Sequence, residues 1–363
     1  MNIIVNTPAL RSSGALSIYL QFINHLSFFV GNNRYYIFVD SSVAKPRIKG
    51  VTYIVDDDHS WSHRLYWDFL GLKKWLRKQN IVPDVVVSLQ NTGVNIDCRQ
   101  IIYYHQSLPF YNRKWNFFNK EERLLWIYKN IYPLFVSLSL TGNTEIVVQV
   151  PYIKRNFIKK FHVQDDRVHV LFPDTEKIDE KMIQPYNFET NYYHFIYPAI
   201  PKSYKEHKTF CFVMDRLRKN NRDLYDRIKI HLTLNKGVYE SFDSLINKLN
   251  LEGCFVFEGR IEHNRLLSMY KSATGLLYPS TIETIGLPLL EAASFGLPII
   301  VSDLDYSREV LEDYKGVTYV ASYDYDSWAE KIGKVCLENK KFASLQQKES
   351  SWERFFNLID KCI

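Results

Sequence analysis

Along the 363-residue chain, short apolar runs alternate with longer stretches in which apolar residues recur every three or four positions. Buried strands and amphipathic helices have those two signatures, so the alternation predicts repeated βαβ units and parallel sheets. In the first half, 3–5 reads as a strand and Ser12-Ser13-Gly14 as a turn. A helix follows over 17–28, carried by Ile18, Leu20, Phe22, Ile23 and Leu26. Strands are expected at 35–39, 51–55, 85–89 and 101–104, with a single helix over 61–78. A polar passage over 174–192 reads as a linker. Beyond it, strands are expected at 194–197, 228–234, 254–257, 276–278 and 298–302, with helices over 208–218 and 239–249. The pattern predicts two α/β domains facing a central cleft, 1–180 and 190–346.

Composition agrees with two filled cores: 46% hydrophobic, 15% aromatic and 24% charged residues exclude a disordered chain. The net charge of +6 is mildly basic and suits an anionic ligand or membrane surface. Cys98, Cys211, Cys254, Cys336 and Cys362 form no C-x-x-C pair or metal-spaced cluster, which predicts reduced, mostly buried thiols in a cytoplasmic protein. No signal peptide is visible, and the longest apolar run, 131–140, is about half a membrane span. Aromatic and basic residues interleave over 111–161. Such a stretch can lie on an anionic bilayer, or bury its aromatics in a core and leave its lysines solvated. No nucleic-acid motif accompanies these cations.

The chemistry concentrates at 278–293. Glu283 and Glu291 stand either side of a turn that opens a helix at Gly286-Leu287-Pro288, so the amides of Ile285, Gly286 and Leu287 can meet an anion. Three further positions follow expected strands: Gly14, an ordinary βα turn or a phosphate contact; His105, a cap or a cleft residue; and the cationic loop 197–208 with Lys202 and Lys205. No metal or cofactor is expected at these positions.

Together these positions resemble the family 4 glycosyltransferases of the two-Rossmann-domain (GT-B) type, whose E-x7-E motif matches Glu283 to Glu291. Tyr278-Pro279-Ser280, Gly286-Leu287-Pro288, Gly296-Leu297-Pro298, Ser302-Asp303 and Arg308-Glu309-Val310 follow the family pattern in order, and 347–363 resembles its C-terminal helix, which crosses back onto the first domain. The resemblance implies a retaining, metal-independent enzyme with the acceptor on the first domain and a nucleotide-sugar donor on the second, a UDP-sugar slightly favoured. Glu291 would bind the ribose, Glu283 would face the transferred sugar, His105 would touch that sugar, and Lys205 with Gly14 and the 285–287 amides would stabilise the diphosphate. The acceptor would be a glycan or lipid-linked oligosaccharide of a bacterial surface polysaccharide, assembled at the cytoplasmic face of the membrane. Two departures stand out. Ser13-Gly14 replaces a double glycine, and Ala199 stands where an arginine often sits, leaving Lys202 or Arg260 to supply that cation. A nucleotide-sugar epimerase and a non-catalytic partner subunit share the architecture and remain alternatives.

Overall fold

The structure is a computed structural model describing residues 1–10, 13–58, 60–174, 178, 180–346 and 349–361, Ser13 by its backbone only. It divides into two compact units, 1–174 with 348–363, and 175–347. Each is built on one parallel sheet.

The first unit has strands β1 (Asn2–Asn6), β2 (Arg34–Val39), β3 (Val51–Val55), β4 (Val85–Ser88), β5 (Arg99–Tyr104), β6 (Thr144–Val148) and β7 (Val168–Val170), in the spatial order β3-β2-β1-β4-β5-β6-β7. Its order reverses between β1 and β4, which pair directly from Ile3↔Val85 to Asn6↔Ser88. One face carries a core of Ile3, Val5, Phe22, Tyr103 and Trp352. The closing helix Trp352–Asp360 belongs to this core: Phe356 stacks on Phe22 at 5.4 Å and on Phe29 at 5.0 Å, and Trp352 stacks on Tyr103 at 5.9 Å. The ends of the expected 347–363 segment, like Ser12 and Cys362, lie outside the described residues.

Three expectations in this unit are corrected. The first helix spans Ser13–Phe29, so Gly14 sits in its first turn and not in a preceding loop. The helix expected over 61–78 is three segments: α-helices Trp61–Tyr66 and Leu72–Gln79, separated by a π-helical turn Trp67–Gly71. A π turn inserts a residue that apolar periodicity cannot register, and it directs Asp68 inward. Strands β6 and β7 pack where no strand is expected, beyond helix Tyr132–Ser139.

The second unit has β8 (Tyr193–Tyr197), β9 (Ile228–Leu232), β10 (Phe255–Phe257), β11 (Gly275–Tyr278), β12 (Ile299–Ser302) and β13 (Val317–Val320), ordered β10-β9-β8-β11-β12-β13. The reversal here falls between β8 and β11, in register Gly275↔Phe195 and Leu276↔Ile196. The passage expected to be a linker is held at both ends. Gln21 and His25 bind Asp174 in the first unit, the imidazole Nε2 lying 2.5 Å from the carboxylate. In the second, the Tyr186 amide donates to the Ser268 carbonyl at 3.2 Å and Phe188 stacks on His194.

Candidate active site

In open parallel sheets ligands bind beyond the carboxyl ends of the strands where the order reverses, because the loops there diverge and leave a crevice. In the second unit that place is bounded by the loops after β8 and β11. The Thr281 amide donates to the Tyr204 carbonyl at 2.8 Å and so ties the two loops together. Behind them, the Tyr306 hydroxyl donates to the Ser280 carbonyl at 2.7 Å and the Ser302 hydroxyl to the Pro279 carbonyl at 3.0 Å. A proline followed by a buried serine cannot continue the strand ladder, so these carbonyls take side-chain donors instead.

On this frame Lys205 and Glu283 meet across the strand reversal as an ion pair. Tyr278 donates its hydroxyl to the same Glu283 oxygen at 2.8 Å, and Tyr197 donates its hydroxyl to the Lys205 carbonyl. Burial, then the neighbouring Glu283 carboxylate, hold both tyrosines well above the ordinary phenol pKa, so they act as donors across the working pH range. Lys205 and Glu283, read from sequence as separate contacts to phosphate and sugar, are thus each other's partner.

Gly286 adopts φ 76° and hands the chain into helix Leu287–Ser294, with Pro288 at its second position. A β-carbon there would lie 3.2 Å from the Leu289 side chain and 3.4 Å from the Tyr278 hydroxyl. The positive φ and the close packing both select glycine. Ile285 is buried, fixing the turn from below. Glu291, on that helix, has different neighbours from Glu283: His263 Nε2 lies 3.1 Å from its carboxylate. Buried Tyr270 has its pKa raised first by burial and then by Glu291. The spacing of the two glutamates therefore separates two environments.

Lys202 and Arg260 are exposed, and among the described residues neither side chain has a hydrogen-bond or ion-pair partner. Ala199 is buried at 6% exposure.

In the first unit the strand reversal carries a second polar group. Asp68 is buried and accepts from Asn6 Nδ2 and Thr92 Oγ1, both at 3.2 Å. Burial pushes its carboxyl up to about 6 against the pull of Arg64 and of these two donors. Arg64 donates to the Gln90 carbonyl at 2.7 Å. His105, directly after β5, donates its amide to Asn91 Oδ1 at 2.6 Å, and Asn91 Nδ2 lies 3.3 Å from its Nε2. Burial and the nearby Arg64 guanidinium lower the imidazole to about 4, so His105 is neutral at pH 7 and a hydrogen-bonding group in place of an acid. Gly14 faces open space: a β-carbon there would meet nothing within 4 Å. Packing does not require glycine at this position.

Sequence reasoning missed Tyr278 and Tyr197 as partners of the pair, His263 beside Glu291, and the Arg64–Asp68 group. Position at a strand end marked Tyr278 and Tyr197. Nothing local marks His263 or Asp68, whose roles come from distant chain segments.

Comparison with known proteins adds to this geometry. Residues 178–352 match the family model Glycosyl transferases group 1. Over 238 residues, 65% of this chain, the sequence is 26% identical to the O-antigen chain mannosyltransferase RfbU of Salmonella typhimurium, and the match spans 60% of that protein's length. A shorter stretch of 69 residues, 19% of this chain and 18% of the relative, is 35% identical to the O-antigen chain mannosyltransferase B of Escherichia coli. Among solved structures, WaaG, a glycosyltransferase involved in lipopolysaccharide biosynthesis, superposes with a TM-score of 0.65 at 14% identity, covering 93% of this chain and 90% of its own. The lipopolysaccharide outer core galactosyltransferase WaaB superposes at 0.60 and 14% identity, covering 100% and 94%. The second unit thus matches the Glycosyl transferases group 1 model over nearly all its length, and the chain has the GT-B fold of these solved structures.

Proposed function

We propose that this chain is a retaining, metal-independent glycosyltransferase that moves a hexose from a nucleotide sugar to a lipid-linked glycan of a bacterial surface polysaccharide. The observation that carries the reading is the Lys205–Glu283–Tyr278 group at the β8/β11 reversal, beside the helix N-terminus that Gly286 opens. The likeness to O-antigen mannosyltransferases supports this acceptor class and a hexose such as mannose as the transferred unit.

In this reading Glu291 accepts from the ribose hydroxyls of the donor, a bidentate use of its two oxygens. The diphosphate meets the amides of Ile285, Gly286 and Leu287, where the helix dipole favours negative charge. Lys205 exchanges Glu283 for a phosphate oxygen as the donor arrives, with Lys202 and Arg260 as the remaining cations. Glu283 stays held by Tyr278 and turns its second oxygen to the sugar. As the anomeric C–O bond to phosphate breaks, the departing oxygen takes the acceptor hydroxyl's proton and the new C–O bond forms on the same face. Charge developing on the phosphate is stabilised by fixed dipoles and cations.

The test is turnover of UDP-, GDP- and dTDP-sugars, with UDP-sugars expected first, with and without a glycan acceptor. Nucleoside diphosphate release that depends on acceptor supports the reading. An epimerised donor without acceptor would make the chain an epimerase, and no turnover of any donor would leave a non-catalytic partner subunit.

A peripheral membrane position is part of the proposal. Helices Arg123–Asn130 and Tyr132–Ser139 and the loop before them expose Phe118 at 85%, Leu134 at 60% and Leu138 at 67%, beside Lys120 and Arg123. Apolar side chains rimmed by cations suit the interface of an anionic bilayer.

A further inference from the structure

Two buried histidines of the second unit stand apart from the candidate active site. His194 on β8 and His231 on β9 lie on one face of the sheet, because His231 pairs with Ile196, two residues beyond His194. Their rings meet, His194 Nδ1 lying 2.8 Å from His231 Nε2. The outer nitrogens are engaged as well: His194 Nε2 is 2.8 Å from the Glu189 carbonyl, and His231 Nδ1 is 2.8 Å from the Glu258 carboxylate. That carbonyl belongs to the passage 184–192, which leads into β8. Phe188 of the same passage covers the pair, stacked on His194 at 4.4 Å and tilted against His231 at 4.9 Å. Helix His263–Ser272 holds the passage too, through the Tyr186 amide on the Ser268 carbonyl and Arg265 on the Tyr186 hydroxyl, both at 3.2 Å.

The three contacts make a demand on protons. A carbonyl and a carboxylate accept, and Arg265 already donates to the second Glu258 oxygen at 2.6 Å, so each end of the chain needs an N–H from a ring. Three hydrogen bonds need three N–H protons, and two neutral imidazoles bring two. A neutral pair that serves both ends leaves two ring lone pairs facing each other; one extra proton turns all three contacts into hydrogen bonds. A second extra proton sets two N–H groups of two cations against each other, which the short ring-to-ring distance does not permit. The surroundings also resist charge. Burial lowers both imidazoles from their ordinary value; the Glu189 carbonyl and carboxylate draw His194 back up, Glu258 does so for His231, and Lys229 on β9 pushes both down. Tyr192 of the passage stands edge-on to His194 at 6.3 Å.

We propose that His194 and His231 form an acid-released latch: while the passage is docked the two rings hold at most one extra proton between them, and taking a second frees the passage from the sheet. Released rings each bind a proton near the ordinary histidine value of about 6.5. Release therefore takes up protons, so docking is full above about 6.5 and is lost as pH falls. Nothing in this latch depends on the glycosyltransferase reading.

The experiment is hydrogen–deuterium exchange of the full chain from about pH 7.5 to 5, corrected for intrinsic exchange and read at the Tyr186 amide, with side-chain ¹⁵N spectra of the histidines on the same samples. Protection of Tyr186 is expected to fall about tenfold per pH unit below about 6, one net proton per release. The amides of Ile196 and Ile230, inside β8 and β9, are expected to stay protected, which marks local release and not unfolding. While Tyr186 is protected, the spectra are expected to show at most one imidazolium in the pair. His231→Gln leaves a single ring whose extra proton the glutamine oxygen can accept, docked or released, so its Tyr186 protection is expected to be indifferent to pH. Constant protection of Tyr186 in wild type, or two imidazolium rings in the docked state, would overturn the proposal whether or not this variant folds. An unchanged acid response in folded His231→Gln would overturn it too.

Discussion

At the scale of single residues, Glu283 is where chemistry and architecture meet. It neutralises Lys205 and takes the Tyr278 hydroxyl, so on the proposed reading its replacement is expected to change both donor grip and sugar contact. Glu283→Gln, which keeps the shape and the Tyr278 bond, is expected to lower kcat at least about a hundredfold with a smaller change in KM, as for loss of a contact made mainly in the transition state. Turnover at the wild-type rate would remove Glu283 from the chemistry. Titration gives a second prediction. His105 at about 4 and buried His207 at about 3 bind protons less readily than in the unfolded chain, where a histidine titrates near 6.5. Their contribution is present above pH 6.5 and is lost as pH falls towards 4. Asp68, raised to about 6, acts in the opposite sense, favouring the folded state as pH falls through 6. Two histidines against one carboxyl give a net loss, so urea midpoints are expected to fall between pH 6.5 and 4, and His105→Gln should flatten that slope.

At the scale of elements, the helix Leu287–Ser294 depends on the backbone at Gly286. Gly286→Ala forces a side chain into φ 76° at a cost of about 1–2 kcal/mol and presses on Leu289 and Tyr278. We expect weaker donor binding along with a lower melting temperature, since the amides at 285–287 shift together; calorimetric titration with the preferred nucleoside diphosphate measures the first effect and scanning calorimetry the second. The closing helix is a packing element. Phe356→Ala removes a ring stacked on Phe22 and Phe29 and is expected to cost about 3–5 kcal/mol in urea denaturation, leaving nucleotide affinity of the folded fraction intact. These two helices show what was legible and what was not. Gly286 and Pro288 announced a helix start by chemistry that acts within four residues, and the closing helix was named through resemblance. The π turn at 67–71 was invisible, because its cause is Asp68 finding Asn6 and Thr92, 62 and 24 residues away.

At the scale of the whole molecule, each unit is a parallel sheet with one reversal of strand order, and each reversal carries a polar group facing the carboxyl ends of the strands. A nucleotide that binds the folded chain stabilises it by mass action, about 2.7 kcal/mol at a hundred times its Kd, so a screen of nucleoside diphosphates by melting temperature should single out one base. The exposed Phe118, Leu134 and Leu138 make flotation with anionic liposomes the matching test for the membrane. Salt-sensitive flotation is expected, reduced by Phe118→Ser with Leu138→Ser. No helix among the described residues is long and apolar enough to cross a membrane.

The sequence by itself determined the strand and helix alternation, the α/β class, and the positions of Glu283, Gly286 and Glu291, because periodicity, turn chemistry and motif spacing are local properties. Tertiary structure alone decided which charges meet: that Lys205 pairs with Glu283, that His263 stands beside Glu291, and that Asp68 is buried next to Arg64. The physical reason is one of range. A carboxylate's partner, burial and pKa are set by side chains dozens of residues away, brought within a few ångströms only when the parallel strands order themselves and their loops converge.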